Sequence, residues 1–381
     1  MDLSFTPEQL ALRGEVVKFA RKELNAGLVE RDHQQAFSRE GWDKCAAMGI
    51  HGLPFPREHG GSGADVLTTM LAMEGLGYGC RDSGLIFAIN AQMWAVQMPI
   101  LNFGTEEQKR RYLPRLCGGE WIGAHGMTEP GSGSDSSALA TTAVRRGHRW
   151  ILNGTKTFVT NAPIADVFVV FATTDRARGF MGVTGFVVEK GAPGFHVGKP
   201  IEKMGLKTSP MAELVFEDCE LPLDALLGEE GGGTRVFSSS MEWERGCLLA
   251  SSLGAMERQL ETCVDYATNR RQFNRPIGKF QSVANKIVDM KVRLETSRLL
   301  LYKLAWLKSA GGEAVIDAAI AKLHLSESWV QSCLDAIQIH GGYGYTTEFE
   351  LERDLRDAIA GRIYSGTSEI QRNIIAAQLG L

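Results

Sequence analysis

The chain has 381 residues, beyond the size at which one hydrophobic core usually stops growing, so two or three domains are expected. Hydrophobic residues make up 44% and charged residues 23%, the mix of an ordinary globular protein, and the formal net charge is −4. That balance, with no basic cluster interleaved with aromatics, speaks against a nucleic-acid binder, and no uninterrupted apolar run approaches the roughly 20 residues of a membrane helix. Met1 to Pro7 carries neither a basic nor an apolar leader segment, so a cytoplasmic protein is read. Seven scattered cysteines without a CxxC pair read as reduced core residues, and the absence of HExxH gives no support to a zinc site.

The first stretch is helical in texture. Thr6-Pro7-Glu8-Gln9 predicts a helix start, with Thr6 as N-cap, Pro7 at the first helical position and Gln9 closing a capping box. Phe5 and Leu10 are spaced for a hydrophobic staple across that cap, and helix-like segments continue to about Leu116 around the Gly60–Gly63 loop. From about Trp121 to Pro222 the texture is that of strands. Asn153-Gly154 stands between two β-prone runs and predicts a hairpin turn, while Val167–Phe171, Gly185–Val188 and Glu213–Glu217 read as further strands.

After the Gly228–Gly233 linker the helical period returns, with Val283, Ile287, Met290, Leu294, Leu301 and Leu304 forming the stripe of a long bundle helix. The expected fold class is α+β in three domains: a helical domain over 1–120, a β-barrel or sandwich domain over 121–232, and a four-helix bundle over 233–381.

The string most specific for chemistry is Met127-Thr128-Glu129-Pro130-Gly131-Ser132-Gly133-Ser134-Asp135. Small residues and hydroxyls between strands expose backbone N–H groups, as a flavin edge or a phosphate requires, although a plain surface loop has the same composition. Four further strings follow in order: Asn153–Lys156 with Phe158–Asn161, Arg270–Phe273 with Gln281, Gln338–Gly344, and Ser365–Glu369. Together the five resemble the flavin-contacting motifs of the acyl-CoA dehydrogenase family, over the whole chain.

The resemblance implies FAD as cofactor and α,β-dehydrogenation of an acyl thioester. Met127, Thr128 and Ser134 would contact FAD, with Thr160 near the flavin N5. Phe158 stands where the family usually has a tryptophan beside the ring, though alone it reads as a core aromatic. Arg270, Phe273, Gln281, Gln338 and Gly342 would hold the adenosine diphosphate half across a subunit interface, with Thr367 and Glu369 at the last motif. His340 reads as packed or hydrogen-bonded near its turn. The resemblance also implies a homotetramer built as a dimer of dimers, and an electron-transfer flavoprotein or oxygen as acceptor.

The chemistry needs a base at the substrate α-carbon, and a desolvated carboxylate suits it because burial raises its pKa. Many family members place a glutamate just before the Gly-Thr of the last motif. Here that position is Ser365, which cannot take the proton unaided. Isovaleryl-CoA dehydrogenase and the prolyl-carrier-protein dehydrogenases of natural-product pathways instead resemble this chain at Glu244, which would share a helix face with Ser240, Cys247 and Leu248. Glu242 and Arg245 would point elsewhere. The expected base is therefore Glu244, with Ser365, through its backbone N–H, and Arg245 as candidate substrate-binding residues. Two other readings stay open: a flavin oxidase or monooxygenase on the same fold, and a flavin-binding scaffold silenced at Ser365. The acyl group, short or branched, and its handle, coenzyme A or a carrier protein, are not separated by these residues, with a lean towards the carrier protein.

Overall fold

A computed structural model describes residues 4–136 and 138–381; the first three residues of the Met1–Pro7 stretch lie outside them. The chain opens with helices α1 (Pro7–Glu23), α2 (Leu28–Gln34), α3 (Arg39–Ala47), α4 (Val66–Gly79), α5 (Ser83–Gln92), α6 (Met98–Phe103) and α7 (Glu106–Cys117). The predicted capping box closes α1: Thr6 Oγ1 accepts from Gln9 N at 3.2 Å, and Gln9 Oε1 accepts from Thr6 N at 2.9 Å. The staple differs from expectation. Phe5 packs edge-on against Tyr302, ring centroids 5.0 Å apart, and Leu10 stays half exposed, because the bundle offers Phe5 a larger apolar partner.

From Ser83 to Phe103 the helices run through a π-turn at Met93–Gln97 into a 21-residue stretch apolar and long enough for a membrane span. The sequence reading missed it because polar Asn90, Gln92 and Gln97 interrupt the run. With 83% of its most apolar window buried, it serves as the core helix of the first domain.

Strands β1 (Gly123–Gly126), β2 (Thr142–Arg146), β3 (Arg149–Thr160), β4 (Val167–Thr173), β5 (Val183–Glu189), β6 (Phe195–Val197), β7 (Met211–Pro222) and β8 (Leu226–Leu227) form one sheet. Its order is β6-β7-β3-β2-β4-β5-β8, with β1 parallel to β4. The Asn153-Gly154 turn is corrected here. Both residues lie inside β3, and the chain reverses at Gly147-His148, where Arg146 pairs with Arg149. Gly154 is required for another reason: at φ 145° its bare Cα sits against Thr141, where a Cβ would come within 2.5 Å of the hydroxyl.

The helices resume as α8 (Gly233–Cys247) and α9 (Ala250–Asn269), nearly continuous, followed by a small hairpin of β9 (Arg271–Gln272) and β10 (Arg275–Pro276). Then come α10 (Gln281–Ser309), α11 (Val315–His340), α12 (Leu351–Ala360) and α13 (Ser368–Gln378). Met290, Leu294, Leu301 and Leu304 of the predicted stripe are buried, and α11 packs on α8, α9 and α10 to make the bundle. The observed order is therefore helical, sheet, helical. Helix α9 also crosses α4 so closely that a Cβ on Gly77 would overlap the Ser251 carbonyl, which locks the first domain onto the bundle. All seven cysteines are buried and unpaired.

Candidate active site

The loop after β1 is held from beneath by one buried ion pair. Lys156, fully buried on β3, lies 2.6 Å from Glu129 Oε1 and donates to the Met127 carbonyl at 3.2 Å. Glu129 in turn accepts from the backbone N–H groups of Ala140 (2.5 Å) and Thr141 (3.0 Å). Burial pulls the Lys156 pKa down to about 8, and the Glu129 carboxylate keeps it from falling further; the carboxyl of Glu129 is itself held low by Lys156. Thr157 N donates to the Thr128 carbonyl at 2.8 Å, so the Met127–Ser134 loop and the end of β3 form one surface.

On that surface Met127 is buried, whereas Phe158 is 61% exposed and sits at φ 56°. A left-handed aromatic that is not packed into the core is uncommon, and it occurs where the backbone around it is fixed for another purpose. Among the described residues the hydroxyls of Thr128, Ser134 and Thr160 have no hydrogen-bond partner in the chain. Three free hydroxyls and an open aromatic on a rigid strip fit the polar edge and the face of a flavin.

The candidate base lies on α8. Glu244 is buried, and its Oε2 accepts from the Ser365 hydroxyl at 2.7 Å, while among the described residues Oε1 has no hydrogen-bond partner. Desolvation raises its pKa to about 7, against the opposing pull of the Ser365 hydroxyl and Arg245. Glu242, as expected, turns away, into an ion pair with Lys308 at 2.6 Å. Arg245 does not. Its Nε donates to the Ser365 carbonyl at 3.3 Å, because the loop before α13 folds back over the helix and offers an unsatisfied acceptor there.

Ser365 is left-handed at φ 52°, Gly366 follows at φ 88°, and the Gly366 carbonyl is clamped by Lys322 Nζ (2.7 Å) and Gln371 Nε2 (2.8 Å). Lys322 and Gln371, both buried, escaped the sequence reading; neither belongs to a motif, and only the fold brings them to this loop. Beside Ser365, Tyr364 closes a narrow cleft together with Ile86, Phe87 and Asn90 of α5, Leu248 and Trp329. The cleft is tight, with a cavity volume of about 20 Å³, little more than a water needs.

The remaining predicted residues form a second group. Phe273 is 88% exposed at the tip of the β9–β10 hairpin, with φ 49°, and Arg270 sits over the Tyr343 ring at 5.8 Å. Gln281, Gln338 and Gly342 are exposed nearby in the same domain, and among the described residues the Arg270 guanidinium has no carboxylate within ion-pair distance. His340 is packed as expected, stacked on Tyr266 at 4.1 Å with Nδ1 donating to the Ala336 carbonyl at 2.8 Å. Thr367 caps α13, accepting from Ile370 N at 3.3 Å, and Glu369 is exposed in its first turn. Among the described residues no hydrogen bond or ring contact joins the Arg270–Gly342 group to the Met127–Thr160 surface.

Three family models match the chain: acyl-CoA dehydrogenase N-terminal domain over residues 6–120, middle domain over 124–219, and C-terminal domain over 231–380. Among curated proteins the chain is 43% identical to an L-prolyl-[peptidyl-carrier protein] dehydrogenase of Pseudomonas fluorescens, over 100% of both chains. Among solved structures it is similar to the prolyl acyl carrier protein oxidase AnaB, at 53% identity and TM-score 0.98, covering 99% of this chain and 100% of that one. It is also similar to PigA with FAD and proline, at 44% identity and TM-score 0.98 over 100% of both.

Proposed function

The chain belongs to the acyl-CoA dehydrogenase family, and from that premise we propose that it oxidises a prolyl thioester carried on the phosphopantetheine arm of a carrier protein. The observation that carries the reading is Glu244, a buried carboxylate with one oxygen held by Ser365 and the other unpartnered. A free buried oxygen on a group whose pKa is raised to about 7 is the arrangement a general base needs at neutral pH. It also weighs against the scaffold reading, since α8 carries a carboxylate beside the position where Ser365 offers none. The handle is supported by the relatives named above, a prolyl-carrier-protein dehydrogenase and a prolyl acyl carrier protein oxidase.

In this reading FAD, when bound, supplies the hydride acceptor for the substrate β-carbon. Thr128, Ser134, Phe158 and Thr160 would hold its ring system, and Arg270, Phe273, Gln281, Gln338 and Gly342 of a neighbouring subunit its diphosphate half. Glu244 Oε1 takes the α-proton. Arg245, drawing on the Ser365 carbonyl, and Lys322, drawing on that of Gly366, hold the loop so that the Ser365 N–H is offered to the thioester carbonyl. That hydrogen bond strengthens as negative charge gathers on the carbonyl oxygen during proton removal.

The test is anaerobic mixing of the purified protein with a prolyl-loaded carrier protein and with a panel of acyl-CoA esters, following the flavin absorbance. Bleaching by the prolyl carrier alone is expected. Bleaching by an acyl-CoA ester alone would assign the handle to coenzyme A, and peroxide formed on admitting air would identify oxygen as acceptor. A flavin that only dithionite bleaches would leave the scaffold reading standing.

The assembly proposed with it is a homotetramer. Val288, Val292 and Leu299 lie exposed along one side of α10, and Phe273 projects unpacked from the hairpin. Apolar surface of this kind is usually covered by a partner, and a second copy would also bring the Arg270 group to the Met127–Thr160 surface. Light scattering is expected to give close to four times the 41.7 kDa chain mass, and a monomer with full FAD content would contradict the shared cofactor site.

A further inference from the structure

We propose that the edge of the sheet beside α8 is the docking surface for an acidic carrier protein, an inference that rests on the carrier-protein reading above. Strand β2 touches β4 only through Thr142 and Thr173 and runs parallel to it, so Ala143–Arg146 overhang the end of β4. The loop from Thr174 to Gly182 leaves β4 at that same end. The overhang and the loop therefore present Arg145, Arg146, Arg176 and Arg178 at one edge, with Phe180 and Met181 beside them, all exposed. Between Thr142 and Gly182 the chain has six Lys or Arg, of which only Lys156 is buried, and two Asp, in a protein of formal net charge −4. The exposed Glu229 and Glu230 adjoin the patch through Gly231, which lies against Met181 and Arg178.

One of those two aspartates, Asp175, turns its carboxylate onto its own loop, accepting from Ala177 N at 2.9 Å. Among the described residues no carboxylate lies within ion-pair distance of the guanidinium groups of Arg145, Arg146, Arg176 or Arg178. Unpaired arginines around an exposed aromatic and a methionine have the composition of a protein interface, where Arg, Met and aromatic residues are enriched.

The loop is also built into the rim of the site. Arg176 Nη2 donates to the Ala140 carbonyl at 2.8 Å, on the segment that leads from Ser134 to Glu129's backbone partners. The Phe180 carbonyl accepts from the Thr234 hydroxyl at 2.6 Å, in the first turn of α8. Glu244 lies ten residues further along that helix, about 15 Å away at the helical rise, a span that a phosphopantetheine arm bridges. A carrier seated on this edge would thus stand at the end of its tether. Charge complementarity selects the occupant, because a basic rim draws an acidic protein and repels a basic one.

The test uses the holoenzyme and the double charge reversal Arg145→Glu with Arg178→Glu, two residues whose guanidinium groups make no hydrogen bond among the described residues. The anaerobic rate of flavin bleaching is measured with the prolyl-loaded carrier protein and with the same prolyl group on free pantetheine. The expected result is a loss of on the order of 10-fold or more in apparent second-order rate with the carrier, an unchanged rate with the pantetheine thioester, and a salt dependence confined to the carrier. Anisotropy titration with the unloaded holo-carrier is expected to show the same weakening. Unchanged rates with both substrates, or an equal loss with both, would overturn the docking assignment. A wild-type enzyme that bleaches with the pantetheine thioester and never with the carrier would instead remove the carrier-protein reading itself.

Discussion

Replacing Glu244 by glutamine is expected to lower the rate of substrate-driven flavin bleaching by at least about 10²-fold, the lower end of what a positioned general base contributes. The protein is expected to remain yellow, because Glu244 is not among the residues proposed to hold FAD. The wild-type rate is expected to rise with pH through about 7, where the carboxylate gives up its proton, and the residual activity of Glu244→Gln to lack that limb. Ser365→Ala separates the base from its setting. The Ser365 hydroxyl stabilises the ionised carboxylate, so its loss moves the limb to higher pH while leaving a base in place.

Glu244→Gln also changes stability with a definite sign. The folded-state pKa of Glu244 lies above its usual value, so the fold prefers the protonated form, and stability is lost as pH rises from about 4.5 through about 7. The difference is roughly 3 kcal/mol at most, taking about 1.4 kcal/mol per pH unit. Glu244→Gln is therefore expected to unfold at a higher temperature than wild type at pH 8 and at the same temperature near pH 4. An active-site group that destabilises its own fold is a common bargain between activity and stability. Retention of most activity by Glu244→Gln, or a lower unfolding temperature at pH 8, would remove Glu244 as a strained base.

How far this site was legible in the sequence depended on whether its determinants are local. The Thr6 cap, the strand runs and the stripe from Met290 to Leu304 are set by neighbours within a turn or two, and they stand as expected. The pairing of Glu244 with Ser365 spans 121 positions, and only the resemblance suggested that one compensates for the other. Asn153-Gly154 misled because its turn preference is a local tendency. Pairing of β3 with β7 along nearly its whole length outweighs that tendency, and the glycine instead admits Thr141. Arg245 misled for a similar reason. Helical spacing fixes where its Cα lies, but the long side chain goes where an acceptor is waiting, and that acceptor arrives from a distant loop.

Lys156→Met is expected to lower the unfolding temperature by several degrees and to yield protein with little bound FAD. Removing one partner of a buried ion pair leaves an uncompensated charge, a loss of roughly 3–5 kcal/mol. Glu129 would keep its bonds from Ala140 and Thr141 but no cation, and the Met127 carbonyl would lose its donor. Both changes fall beneath the loop that offers Thr128 and Ser134 to the cofactor, so folding and flavin retention are expected to fail together. Adding Glu129→Gln to Lys156→Met removes the stranded charge and is expected to recover part of the thermal stability. Recovery of flavin is expected to be smaller, because the donor to the Met127 carbonyl is still missing. The discriminating comparison is flavin content per chain against unfolding temperature across wild type, Lys156→Met and the double variant. If Lys156→Met unfolds at the wild-type temperature and purifies fully yellow, the pair is not what shapes the flavin surface, and the Thr157–Thr128 backbone bond suffices to hold the loop to β3.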